Sequence, residues 1–201
     1  MLNAFPNIEE LIFIRHGETD WNVQKRFQGQ TDIPINAKGE SQALRNGEAL
    51  AHYFQSEMID RWQFLCSPLS RTKQTMEIIK GQFSQPINIE YDETLKELHF
   101  GYLQGRTLKE LEKEEPETLA KREADKWNFL SEGGESYAQV SLRIEKWMQQ
   151  QSGKLVIISH GGIGRIVRGL LYDLPEKTRP MLTPHQDKIM VYAADKRIFW
   201  L

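Results

Sequence analysis

Two stretches of this chain repeat one pattern. Leu11-Ile12-Phe13-Ile14-Arg15-His16-Gly17 and Leu155-Val156-Ile157-Ile158-Ser159-His160-Gly161 each run four apolar residues, one polar residue, then His-Gly. A strand with one face in water alternates apolar and polar residues, so an unbroken apolar run reads as a strand covered on both faces. Phe64-Leu65-Cys66 and Ile189-Met190-Val191-Tyr192 have the same character. Ile87-Asn88-Ile89-Glu90-Tyr91 alternates instead, and one face of that strand is expected to be wet.

Amphipathic helices separate these runs. Ala43, Gly47, Leu50 and Phe54 form one apolar stripe, and Tyr137, Val140, Ile144, Trp147 and Met148 form another behind the Gly133-Gly134 break. Ile163, Ile166, Val167, Leu170, Leu171 and Leu174 recur at helical spacing and predict a core-facing helix over that whole span. Strands alternating with helices in this order define an α/β chain with a largely parallel sheet. Residues 106–130 differ: they are heavily charged, carry Pro116, and read as a helical insert that either covers a site or simply lies solvated on the surface.

A length of 201 residues suits one domain, taken here as 1–201, which can bury roughly 70% of the surface its unfolded form exposes. Lys and Arg total 26 against 28 Asp and Glu, a net charge of -2. That balance argues against a general binder of nucleic acid or anionic membrane, while leaving room for a local basic pocket. No apolar run approaches the ~18 residues of a membrane helix. The single cysteine, Cys66, rules out an internal disulfide and any cysteine-based metal site. The first ten residues lack the basic and apolar regions of a secretory signal, so a cytoplasmic setting is expected.

The residue types at the strand ends point to an anion. Ligands of open α/β sheets bind beyond the carboxyl ends of the strands, where His16 and His160 both fall. Arg15 adjoins His16, and Arg71 follows the strand end at Ser67-Pro68. Guanidinium groups offer planar, bidentate contacts to phosphate or carboxylate. A histidine among such cations is held in its neutral, nucleophilic form. Phosphoryl transfer needs its oxygens neutralised and a nucleophile held in line, which these residues could supply without a metal.

Further motifs surround these residues. Arg15-His16-Gly17-Glu18-Thr19, with Trp21-Asn22 and Arg26-Phe27-Gln28-Gly29 after it, resembles the signature of the histidine phosphatase superfamily, the phosphoglycerate-mutase-like proteins. Ser67-Pro68-Leu69-Ser70-Arg71-Thr72 resembles the second motif of that family, and Ser159-His160-Gly161-Gly162 the last. The resemblance implies a three-layer α/β/α domain and a phosphohistidine mechanism that needs no cofactor. His16 would attack phosphorus, while Arg15, Arg71 and His160 bind the phosphoryl oxygens. Asn22 would also contact the phosphate, and Gln28 and Gly29 would lie on a substrate-facing loop. Glu97, in Leu95-Lys96-Glu97-Leu98-His99-Phe100-Gly101, would be the general acid and then the base, in preference to Glu93. His99 reads as a structural neighbour, Glu18 as a loop-ordering residue, and Arg165 and Arg168 as solvated charges. His52 and His185 carry no role. Many relatives place Glu-Gly after the acid motif; Leu103-Gln104-Gly105 stands here instead, which puts the hydrogen bonding of that loop in question.

The family holds both hydrolases and mutases. A mutase must shelter its phosphoenzyme from water, and mutase relatives carry a longer insert and tail than this chain. The expectation is therefore a phosphatase acting on a small phosphorylated metabolite. Short members resemble phosphatases of sugar phosphates, phosphoserine and cobalamin-synthesis intermediates. Two other classes stay open. A metal-dependent hydrolase would use His16, His160 and Glu97, although Arg15 would repel its cation. A phosphate-ester sensor would keep the fold without turnover.

Overall fold

The two echoing runs are neighbours in space. In the computed structural model, which describes residues 5–54 and 59–201, β1 (Ile8–Arg15) and β4 (Gly153–Ser159) pair in parallel. Leu11 stands opposite Leu155, and Arg15 opposite Ser159. Successive side chains of a strand point to opposite faces, and each face has its own core. Leu11, Phe13, Leu155 and Ile157 pack with α6 (Tyr137–Gln150) and α7 (Gly161–Leu171) through Val140, Ile144, Ile163 and Ile166. Ile12, Ile14, Val156 and Ile158 pack with α2 (Ala37–Tyr53) and α3 (Ser70–Lys80) through Leu50, Met76 and Ile79. Two buried faces explain why the runs are apolar throughout. The layers are α/β/α, as expected.

The sheet has six strands in the order β3-β2-β4-β1-β5-β6. β2 (Trp62–Cys66) is parallel to β4 and to the edge strand β3 (Ile89–Tyr91). β5 (Met190–Tyr192) runs antiparallel to β1, and β6 (Ile198–Trp200) antiparallel to β5. β6 has no counterpart in the sequence reading, because three residues at a sheet edge are too short to show a period. Asn88 and Glu90 are exposed while Ile87 is buried and Ile89 half-buried, the alternation of a strand wet on one face, although Tyr91 at its end is exposed as well.

The apolar stripe after His160 overshoots its helix. α7 ends at Leu171, with Tyr172 as its C-cap and Asp173 at φ 53° turning the chain away, so Leu174 lies beyond it. Residues 106–130 are helical at their core: α4 (Leu108–Glu114) opens on a Thr107–Glu110 capping box, and α5 (Pro116–Ala124) starts at Pro116. Proline at the first helical position loses only an N–H that would have no helical partner, so Pro116 divides the insert into two helices. α1 (Asp20–Val23) is one turn after β1. No helix among the described residues is long and apolar enough to cross a membrane.

Candidate active site

His16 and His160 follow directly from β1 and β4, and the parallel register brings their rings together, with centroids 5.3 Å apart. The His16 amide donates to the Ser159 carbonyl at 3.0 Å, extending the ladder by one bond. His16 Nδ1 lies 2.7 Å from the Gly17 carbonyl. A carbonyl only accepts, so Nδ1 carries the proton and Nε2 keeps its lone pair. The ring is 3% exposed. Burial first, then the charges of Arg71 and Arg15, hold its pKa well below the usual 6.5. His16 is a neutral imidazole with a free nitrogen, the form a nucleophile needs.

Arg71 is the second residue of α3. The helix lacks a side-chain cap of its own at Leu69; Asp32, from the loop before α2, accepts from the Ser70 amide at 2.7 Å and the Ser70 hydroxyl at 2.6 Å. The same loop holds the guanidinium: Arg71 donates to the Thr31 carbonyl at 2.9 Å and the Gly29 carbonyl at 2.6 Å. Gly29 sits at φ 54°, a left-handed conformation costly for other residues, and a Cβ there would collide with Gln104. The loop in question is satisfied here: Gln104 Oε1 accepts from the Gln30 amide at 2.8 Å, an acceptor role that an amide fills as a carboxylate would.

Arg15 donates to the Pro184 carbonyl at 3.0 Å, while its buried Nε has no partner. Burial lowers both Arg15 and Arg71 to about 10, against which the Glu97 charge works, so both stay cationic at neutral pH. His160 is bracketed by Arg71 Nε at 3.2 Å and Ser67 Oγ at 2.7 Å.

Glu97 closes the opposite side of the cleft. Its carboxylate accepts from the Gly162 amide at 3.0 Å and its neighbour Leu98 at 3.1 Å, placing it against the first turn of α7, where the helix dipole favours negative charge. A Cβ on Gly162 would stand 2.4 Å from Glu97 Oε1, so only glycine lets the carboxylate approach. Glu93, by contrast, pairs with Lys96 on the surface. Asn22 completes a capping box with Thr19. Its Oδ1 accepts from the Thr19 amide at 3.1 Å and from Gln186 at 3.1 Å, which leaves its NH₂ for a ligand. Gln28 is buried with an unpartnered Oε1.

A cleft of about 200 Å³ joins these groups. Arg15, His16, Asn22, Gln28, Gly29, Arg71 and Glu97 all line it, and His160 stands behind them against Arg71 and His16. Arg165 lines the cleft too, which corrects its reading as a solvated charge: it donates to the Leu182 carbonyl at 2.7 Å and to the Tyr137 hydroxyl at 3.1 Å. Arg168 is likewise not free in water but lies over the Trp200 ring. Ser67, Gln186, Tyr137 and Arg122 also belong to the site or its supports. The sequence shows Ser67 only as part of a motif and Tyr137 only as part of a core stripe, while Gln186 and Arg122 reach the site through long-range packing that leaves no local signal. His99 accepts from the Gly101 amide, and Glu18 binds Asn36 and Lys38, both structural roles as expected.

Neutral imidazoles set among guanidinium groups at the carboxyl edge of a parallel sheet give this α/β protein a cleft whose charge and donors suit an oxyanion. The comparisons make that class specific. The profile of the histidine phosphatase superfamily (branch 1) matches residues 11–197, and the chain belongs to that superfamily. It is 32% identical over 168 residues to the "Probable phosphoglycerate mutase GpmB" of Salmonella paratyphi C, covering 81% of this chain and 74% of that protein. Among solved structures, Bacillus stearothermophilus YhfR aligns with a TM-score of 0.76 at 26% identity over 90% of this chain and 89% of its own. The alpha-ribazole phosphatase from Shigella flexneri aligns with a TM-score of 0.76 at 24% identity, over 90% and 89%, a likeness of fold alone.

Proposed function

We propose that this protein is a metal-independent phosphatase that hydrolyses a small phosphomonoester through a phosphohistidine at His16. The observation that carries the reading is the His16 Nδ1 contact to the Gly17 carbonyl, which presents Nε2 as a lone pair beside two buried guanidinium groups. In the first step Nε2 bonds to phosphorus and the ester P–O bond breaks, with Glu97 giving its proton to the leaving oxygen. In the second, Glu97 takes a proton from water, whose oxygen bonds to phosphorus as the P–N bond breaks, and inorganic phosphate departs. Arg15, Arg71 and the Asn22 amide bind the non-bridging oxygens, where charge stabilisation counts most in a dry site, and His160 joins them by exchanging its Nε2–H from Ser67 Oγ to an oxygen. Gln28 and Gly29 shape the wall on the substrate side.

The test is phosphate release from a panel of phosphomonoesters in EDTA by wild type and His16→Ala. Metal-independent release that drops by at least about 10³-fold in the variant supports the reading. Equal release by the variant would overturn it. A mutase is the second reading, favoured by the name of the Salmonella relative. Isomerisation of 3-phosphoglycerate faster than release of phosphate from it would establish that alternative.

A further inference from the structure

We propose that Glu135, in the turn before α6, is a positioning residue for Glu97. With Arg143 and Gln30 it fixes the segment that carries the acid and ties that segment to the loop that holds Arg71. The inference rests on the reading of Glu97 as proton donor to the leaving oxygen and adds what keeps that donor in place.

Lys96–Phe100 belongs to no helix or strand, so no ladder fixes the backbone on either side of Glu97. Its polar groups need partners from elsewhere, and the turn at Gly133-Gly134 supplies several. The Ser131 hydroxyl donates to the Phe100 carbonyl at 2.7 Å, and the Tyr102 amide to the Glu132 carbonyl at 3.2 Å. The Glu135 amide donates to the His99 carbonyl at 2.7 Å. Gly134 permits this approach, since a Cβ there would stand 2.7 Å from the same carbonyl. The Glu135 side chain then returns to the same residue: Oε2 accepts from the His99 amide at 2.9 Å. His99, two residues beyond Glu97, is held at both its amide and its carbonyl.

Arg143 holds the near side of the segment. It stands on α6, which the Ser136–Gln139 capping box locks to the turn. Its guanidinium donates to the Thr94 carbonyl and, at 3.3 Å, to the Lys96 carbonyl, and it pairs with Glu135 Oε2 at 3.4 Å. The carbonyl of Glu97 itself accepts from Gln30 Nε2 at 3.0 Å, and that nitrogen lies 3.5 Å from Glu135 Oε2. Gln30 sits between Gly29 and Thr31, whose carbonyls hold Arg71. One carboxylate thus stands where the acid segment, α6 and the phosphate-binding loop meet. Neither Glu135 nor Arg143 lines the cleft, so both act through Glu97 rather than on the ester. A displacement of about 1 Å at a reacting group can cost 10²-fold in rate, which is what such a junction prevents.

The experiment compares kcat/KM, which reports formation of the phosphoenzyme alone, for glycerol 3-phosphate and p-nitrophenyl phosphate. Glu135→Ala should lower it about 10²-fold for the alkyl ester and by less than about threefold for the nitrophenyl ester, whose leaving group needs little protonation. Glu135→Gln, which keeps an acceptor for the His99 amide, should recover most of the loss. Gln30→Ala, at a half-buried loop position, is the second variant and should show the same selectivity at about tenfold. Added to Glu97→Gln, Glu135→Ala should cost nothing further, because the proton it places is already gone. Equal losses for the two esters, or the full loss repeated in the Glu97→Gln background, would overturn the proposal. A crystal structure of Glu135→Ala judges it without turnover. Glu97 Oε2 should leave the Gly162 amide, from which it accepts at 3.0 Å, and a carboxylate still bonded there would overturn the proposal too. Wild type that releases phosphate from no ester removes the phosphatase reading, while that structure still decides on Glu135.

Discussion

Arg71 Nε donates to His160 Nδ1 at 3.2 Å. A guanidinium N–H can only donate, so the imidazole nitrogen facing it is unprotonated, and the single ring proton sits on Nε2, shared with Ser67 Oγ at 2.7 Å. Geometry and electrostatics therefore agree on a neutral His160: burial, then Arg71, His16 and Arg15, push its pKa well below 6.5. His16 is neutral through its own anchor at Gly17.

That neutrality links stability to pH. Both histidines titrate near 6.5 when unfolded and well below it when folded. Above about pH 6.5 neither state binds the protons, and the full stability is present. As pH falls below that value the unfolded chain takes up protons the native state refuses, so stability drops, by up to about 1.4 kcal/mol per pH unit for each histidine. Urea midpoints measured between pH 7.5 and 5.5 should fall toward acid, and the slope should be shallower in His16→Gln. A wild-type slope no steeper than the variant's would contradict the account.

Gly162→Ala tests how Glu97 is placed. The added methyl would meet Glu97 Oε1 at 2.4 Å and Leu98 Cδ1 at 2.6 Å, so the carboxylate must move out of the first turn of α7. Misplacing a general acid costs roughly 10²–10⁴ in rate. The expected pattern is a lower kcat, most severe for alkyl phosphates and mildest for p-nitrophenyl phosphate, whose leaving group needs little protonation. Rates unchanged across both ester classes would show that Glu97 is not the proton donor.

Asp32→Ala tests the external cap of α3. Losing both bonds to Ser70 should lower stability by about 1 kcal/mol, the usual worth of an N-cap. Since Arg71 is the next residue, the phosphate site should loosen as well. A raised inhibition constant for inorganic phosphate is the readout, with Asp32→Asn recovering most of the stability because asparagine also caps. A stability loss with no change in phosphate inhibition would place the cap outside the function of the site.

The sheet was visible in the chain because two buried faces leave no room for a polar residue, and Leu11–Ile14 and Leu155–Ile158 show that constraint directly. His16, Arg15, Arg71, Glu97 and His160 stand at or near element ends inside local motifs, so adjacency in sequence exposed them. β6 and the early stop of α7 were hidden: one is too short for a period, the other depends on Asp173 turning the chain where the apolar spacing continues.

Local order thus carries the strands, the helices and the reacting groups, since each depends on neighbours within a few residues. Long-range packing set the rest. It paired Arg71 with His160, capped α3 from Asp32, swung Gln186 onto Asn22, and turned Arg165 from a surface charge into a cleft wall. These contacts join residues 17 to 164 positions apart, and a spacing rule has no information about partners that only the folded layers bring within hydrogen-bonding distance.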